Sequence, residues 1–113
     1  NAHPSLLPRY RGPAPLFWAL RDDAPIGVTI HRMSAALDAG PILRQSPMAL
    51  PDGASSAEID RRCGRLSGQL LVEAIAGLTA GTLDPQPQIG FASYAPWPTA
   101  ADFTLDPGWT ARH

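Results

Sequence analysis

Residues 26–45, IGVTIHRMSAALDAGPILRQ, decide the fold. Ile26 to Met33 are rich in β-branched residues and alternate well enough for a buried strand. At a period of two, Val28, Ile30 and Arg32 share one face, and Thr29, His31 and Met33 share the other. A Ser/Ala-rich loop, Ser34 to Leu37, then delivers Asp38, and Gly40-Pro41 turns the chain into a second strand beginning at Ile42. The pattern is a β-loop-β unit with a carboxylate at its tip, with strands expected near 26–33 and 40–46.

Downstream, Ser55-Ser56-Ala57-Glu58 has the spacing of a capping box. Behind it Ile59, Cys63, Leu66, Leu70, Ala74 and Leu78 recur every three or four residues until Gly81. This predicts a long helix over 55–81 with one apolar stripe to lay on a sheet. Gly64 and Gly68 within it read as tolerated residues. Upstream of the strand, Pro15 to Arg21 reads as a short helix, opened by a proline that needs no amide donor there. After Gly81, Pro85 and Pro87 confine any strand over 83–89 to a sheet edge. From Ser93 to His113 the chain is rich in proline and aromatics with little periodicity, and reads as a wrapping tail or the start of an interdomain linker. One β-loop-β unit and one stripe-patterned helix give an α/β class, a small sheet with helices packed on it.

At 113 residues and 44% hydrophobic content the chain is the size of a single small domain. Its formal charge is −1, and its nine basic residues are all arginines spread along the sequence, which excludes an autonomous nucleic-acid patch. The single Cys63 excludes an intrachain disulfide and a cysteine-rich metal site, and is read as core filling. With no apolar run of spanning length, the chain reads as soluble and cytoplasmic, with no membrane partner. It opens on Asn1 rather than Met and reads as a piece of something longer.

The opening NAHPSLLPRYRG carries the chemistry. In an extended backbone Asn1 and His3 point to the same side, with Ala2 turned away. Pro4 and Pro8 restrict His3 and Leu7 to extended geometry, so the segment is expected to be ordered. Ser5 with His3 and Asp38 offers the elements of a hydrolase triad, but Ser5 lacks the Gly-x-Ser-x-Gly elbow and sits two residues from His3. Arg9 and Arg11 read most simply as loop residues, and Trp18, Trp97 and Trp109 as packing. His31 and His113 have no evident partner.

NAHPSLLPRYRG followed by GVTIHRMSAALDAGPIL resembles the folate-dependent formyltransferase family, which includes methionyl-tRNA formyltransferases, glycinamide ribonucleotide formyltransferases and amino-sugar N-formyltransferases. Ser93-Tyr94-Ala95 and the stretch around Leu105-Asp106 extend the resemblance over most of the chain. The Ala35-Ala36 pair before Leu37-Asp38 departs from the methionyl-tRNA branch, and His31-Arg32-Met33 is more like the amino-sugar enzymes.

The resemblance implies that residues 1–92 are the C-terminal part of a Rossmann-like catalytic domain, here partial, whose missing upstream half is a structural partner. It implies transfer of a formyl group from 10-formyltetrahydrofolate to a primary amine, methionyl-tRNA or an amino-sugar nucleotide, with no metal. A formyltetrahydrofolate hydrolase and an inactive fragment are the alternatives. Asn1, His3 and Asp38 fall on the catalytic positions. Ser5, Leu6, Leu7, Pro8 and Arg11 fall on substrate-binding positions, and Ala36, Leu37 and Asp38 on folate-binding ones. Such a reaction passes through a tetrahedral intermediate whose oxyanion needs donors while the amine loses a proton. Asn1 and His3 supply donors, and Asp38 orients the imidazole and relays protons.

Overall fold

The computed structural model describes residues 1–104 and 106–108, so the expectations that fall on Leu105, Trp109 and His113 lie outside the described residues. In chain order the elements are β1 (Ala2–His3), α1 (Pro15–Arg21), β2 (Ile26–His31), β3 (Ile42–Met48) and α2 (Ser56–Ala80). A 3-10 turn follows at Ala100–Phe103. The sheet runs β1-β2-β3, and both ladders are antiparallel. The α/β expectation of a small sheet covered by helices is met.

Both predicted strands exist with shifted ends. β2 stops two residues early because a bulge at Ile30/His31 breaks the register, and Arg32 N–H goes to Pro41 O at 3.0 Å across the base of the loop. Beyond it Met33 is 81% exposed. β3 continues through Pro47 to Met48. A proline is tolerated there because β3 is the edge of the sheet, where a missing N–H removes no ladder bond. The 83–89 segment touches that edge through a bridge between Ile42 and Gln86.

α2 starts where Ser55 Oγ accepts the Glu58 N–H at 3.3 Å, and it ends at Gly81 in the left-handed region. The capping box is only half made, since the Glu58 carboxylate turns to Arg62, Oε1 to Nη2 2.8 Å. Ile59, Cys63, Leu70 and Ala74 of the stripe pack on Val28 and Ile30, while Leu16, Leu43 and Leu66 close the margin of this core. Each such fully buried aliphatic side chain contributes roughly 1.5–3 kcal/mol. Burial pushes the Cys63 thiol up from its ordinary range, with the nearby Asp60 carboxylate adding to it, as suits a core-filling residue. A second cluster joins Tyr10, Ala19, Ile26 and Ala95. Trp18 packs as expected, edge to face with Phe17, whereas Trp97 is 74% exposed and does not.

A Cβ at Gly64 or Gly68 would meet nothing within 4 Å, so neither glycine serves a close approach. Gly64→Ala and Gly68→Ala are therefore expected to raise stability by about 1 kcal/mol each. Urea unfolding should show the gain as a higher midpoint at unchanged slope.

Candidate active site

The place of β1 is fixed by its ladder with β2, Ala2 opposite Ile30 and His3 opposite Thr29. Pairing continues one residue further, where Asn1 O accepts the His31 N–H at 3.0 Å and Asn1 N donates to His31 O at 2.9 Å. The turn after β1 is held by Thr29. Its hydroxyl donates to Ser5 O at 2.7 Å and accepts Leu7 N–H at 3.2 Å and Gln45 Nε2 at 2.7 Å. The Leu7-Pro8 peptide is cis.

Ser5 and Leu7 were expected at the substrate, yet they are 1% and 3% exposed and face inward. Ser5 Oγ donates to Arg9 O at 2.8 Å, so it is not directed at His3, and the hydrolase triad has no geometric basis. Leu6 and Pro8 are half-buried on the same turn, with Leu6 against Gly27. Arg11 is held by Gln88, whose Oε1 accepts its Nε at 3.2 Å and its Nη2 at 2.7 Å. Through its own amide nitrogen Gln88 donates to Asp38 O at 2.7 Å and Gly40 O at 2.8 Å, tying Arg11 to the Asp38 loop. Ala36 and Leu37 lie exposed on that loop, Leu37 at 59%.

Asp38 itself is buried and sits in the left-handed region, φ 49°. Its Oδ2 accepts the Gly12 N–H at 2.9 Å and its Oδ1 accepts Asn1 Nδ2 at 3.2 Å. Gly12 has φ +109°, and a Cβ there would lie 2.6 Å from the Tyr94 ring, so only glycine brings this N–H to the carboxylate. The fold thus gathers Asn1, His3 and Asp38, with the Asn1 and His3 side chains turned to the carboxylate as their spacing requires.

His3 Nε2 lies 2.8 Å from Tyr10 O. A carbonyl only accepts, so Nε2 carries a proton, and Nδ1 on the other side of the ring faces Asp38 Oδ2, 3.6 Å away. Tyr10 is itself anchored: burial, with Asp22 accepting its O–H at 2.8 Å, pushes its phenol above the usual range. His31 has no partner legible in the sequence, yet it belongs to the site. Its Nε2 stands 3.5 Å from Asp38 Oδ1 on the other side of the carboxylate.

Two imidazoles and a carboxylate suggest a metal, but both carboxylate oxygens already accept N–H groups. Among the described residues no group of three His, Cys, Asp or Glu side chains could hold an ion. The site can accept one proton at His3 Nδ1 and stabilise the resulting charge with Asp38, beside an amide able to donate.

A sequence model described as Formyl transferase matches residues 1–75. The chain belongs to the formyl transferase family. It is 43% identical over 113 residues to the methionyl-tRNA formyltransferase of Nitratidesulfovibrio vulgaris strain DP4, covering 98% of this chain and 34% of the relative. Against the methionyl-tRNA formyltransferase of Heliobacterium modesticaldum it is 41% identical, covering 98% and 35%. Its fold is similar to that of the formyltransferase PseJ from Anoxybacillus kamchatkensis, solved with UDP-4,6-dideoxy-4-formamido-L-AltNAc and tetrahydrofolate, at a TM-score of 0.79 and 29% identity, covering 86% of this chain and 51% of that one. This formyl transferase chain spans about a third of the length of the curated relatives it matches. Among its described residues no helix is long and apolar enough to cross a membrane.

Proposed function

We propose that the chain is the catalytic part of an N-formyltransferase that moves a formyl group from 10-formyltetrahydrofolate to a primary amine, with methionyl-tRNA as the acceptor. The observation that carries the reading is the convergence of Asn1 and His3 on Asp38, with His3 Nδ1 facing the carboxylate. The methionyl-tRNA relatives support the acceptor. An amino-sugar nucleotide is the second reading, favoured by the likeness to PseJ and the sugar nucleotide it was solved with.

The folate supplies an activated formyl carbon. It suits the exposed apolar side chains of Met33 and Leu37, which lie on the loop that ends in the buried Asp38 and present a surface that a flat ring can cover. Ala36 and Leu37 would hold the folate, while Leu6, Pro8 and Arg11 would meet the acceptor side. Ser5 and Leu7 would act through the shape of the turn. His3 Nδ1 takes the proton that the attacking amine loses, and Asp38 offsets the imidazolium. The Asn1 amide keeps one N–H on His31 Nε2 at 3.3 Å and turns the other, which lies 3.2 Å from Asp38 Oδ1, to the developing oxyanion.

The reading takes residues 1–92 as catalytic and the segment from Ser93 onward as a wrapping tail or the start of an interdomain linker. It is supported by Ala95 N–H donating to Arg11 O at 2.6 Å and by the Arg21–Asp102 pair at 3.0 Å. The test incubates the full-length protein with 10-formyltetrahydrofolate and methionyl-tRNA, a UDP-linked 4-amino sugar, or no amine. Tetrahydrofolate release is followed by absorbance and the formylated product by mass. Formyl-methionyl-tRNA is expected. Equal release without any amine would instead identify a hydrolase, and a formylated sugar alone would select the second reading.

A further inference from the structure

His31 closes β2 with 2% exposure, and its two ring nitrogens have different neighbours. Nδ1 lies 2.9 Å from Arg32 O, which can only accept, so Nδ1 carries the proton. The lone pair of Nε2 in the neutral ring then accepts from Asn1 Nδ2 at 3.3 Å. The second N–H of the same amide goes to Asp38 Oδ1 at 3.2 Å. The result is a directed chain of hydrogen bonds from Asn1 through His31 to the Arg32 carbonyl, alongside the bond to the carboxylate. Two acceptors on one amide nitrogen fix both which end of Asn1 faces the site and the plane in which it lies.

We propose that His31 is a positioning residue for Asn1. As the neutral, Nδ1-protonated ring it holds the amide nitrogen, not the amide oxygen, toward Asp38, in the orientation from which an N–H reaches charge developing beside His3. The inference rests on the formyl-transfer reading and adds a residue to it. Asp38 alone restrains one N–H and leaves the amide free to swing about that bond. A buried histidine with no role would be replaceable by any side chain of its volume, whereas a positioning histidine needs an acceptor where Nε2 stands.

The test is made in the full-length protein. His31→Leu is expected to lower kcat about 10-fold or more, short of the roughly 100- to 1,000-fold loss of a whole oxyanion donor, with KM for the folate nearly unchanged. His31→Gln, whose amide oxygen can stand in for Nε2, should recover most of the rate. In an Asn1→Ala background His31→Leu should cost less than about 2-fold, because contacting residues that act as a unit are not additive. Nitrogen NMR of the imidazole should show the Nδ1-protonated tautomer, and His31→Gln should shift the Asn1 side-chain amide resonances. Full activity in His31→Leu, additive losses with Asn1→Ala, or an Nε2-protonated ring would overturn the proposal. A parent protein that transfers no formyl group removes the functional reading instead. The tautomer and the Asn1 amide resonances then still decide whether His31 positions Asn1.

Discussion

Asp38→Asn is expected to lower formyl transfer by about 100- to 10,000-fold, the range for removing a general acid–base partner, while the folate still binds. The backbone will not object, since Asn tolerates the left-handed conformation, φ 49°, that Asp38 occupies. The chemistry will. Both carboxylate oxygens accept N–H groups, Oδ2 from Gly12 at 2.9 Å and Oδ1 from Asn1 at 3.2 Å. An amide can satisfy only one of them. Its NH2 end must oppose either the Gly12 N–H or the Asn1 Nδ2, and no charge remains to offset an imidazolium at His3, whose Nδ1 stood 3.6 Å from Oδ2. Steady-state kinetics beside calorimetric titration with tetrahydrofolate separates the two effects. A variant that formylates its amine at the parent rate would sink the assignment of Asp38.

The division between what the residues announced and what they hid follows from how far apart the interacting groups are. α2 was legible to within a residue because its signals are local: Ser55 before it, Gly81 after it and an apolar stripe between. α1 likewise begins at Pro15, where proline is most easily placed. Asn1 and His3 could be put on one side from strand geometry alone, but nothing in the sequence pattern of Asp38 separates it from an ordinary turn carboxylate. The role proposed for it was readable only through the family resemblance.

His31 was hidden for a different reason. Its partner is set by strand register, Ala2 opposite Ile30, and the pairing of segments this far apart leaves no trace in either segment. Gln88 was hidden too, lying in a Pro-flanked stretch with no periodicity, although it ties Arg11 to the carbonyls of Asp38 and Gly40. The strand ends were misplaced where side chains and irregularities intervene, at the Ile30/His31 bulge and at the edge position of Pro47.

Gly40→Ala is the substitution expected to cost the most stability. A Cβ at that position would overlap Arg32 O and lie 2.8 Å from Arg32 C, a backbone neighbour that cannot swing aside as a flexible side chain could. Arg32 O is also the acceptor that holds His31 Nδ1 at 2.9 Å, and Gly40 O accepts from Gln88 Nε2 at 2.8 Å. Relief of the clash must therefore pull on His31 from one side or release the Gln88 clamp from the other. Either movement shifts Asp38, two residues away. Overpacking against fixed backbone costs about 1–3 kcal/mol, occasionally more, and here the upper end is expected. Gly53→Ala tests the cause, because Gly53 is also a loop glycine, with φ +74° but nothing within 4 Å of its Cβ. Its loss should be confined to the backbone penalty, roughly 1–2 kcal/mol for an L-residue in the left-handed region, and should leave turnover intact. Urea midpoints give the stabilities and formyl transfer below the transition gives the activities. Gly40→Ala matching Gly53→Ala on both would show that the close packing of the Asp38 loop against Arg32 does not support the site.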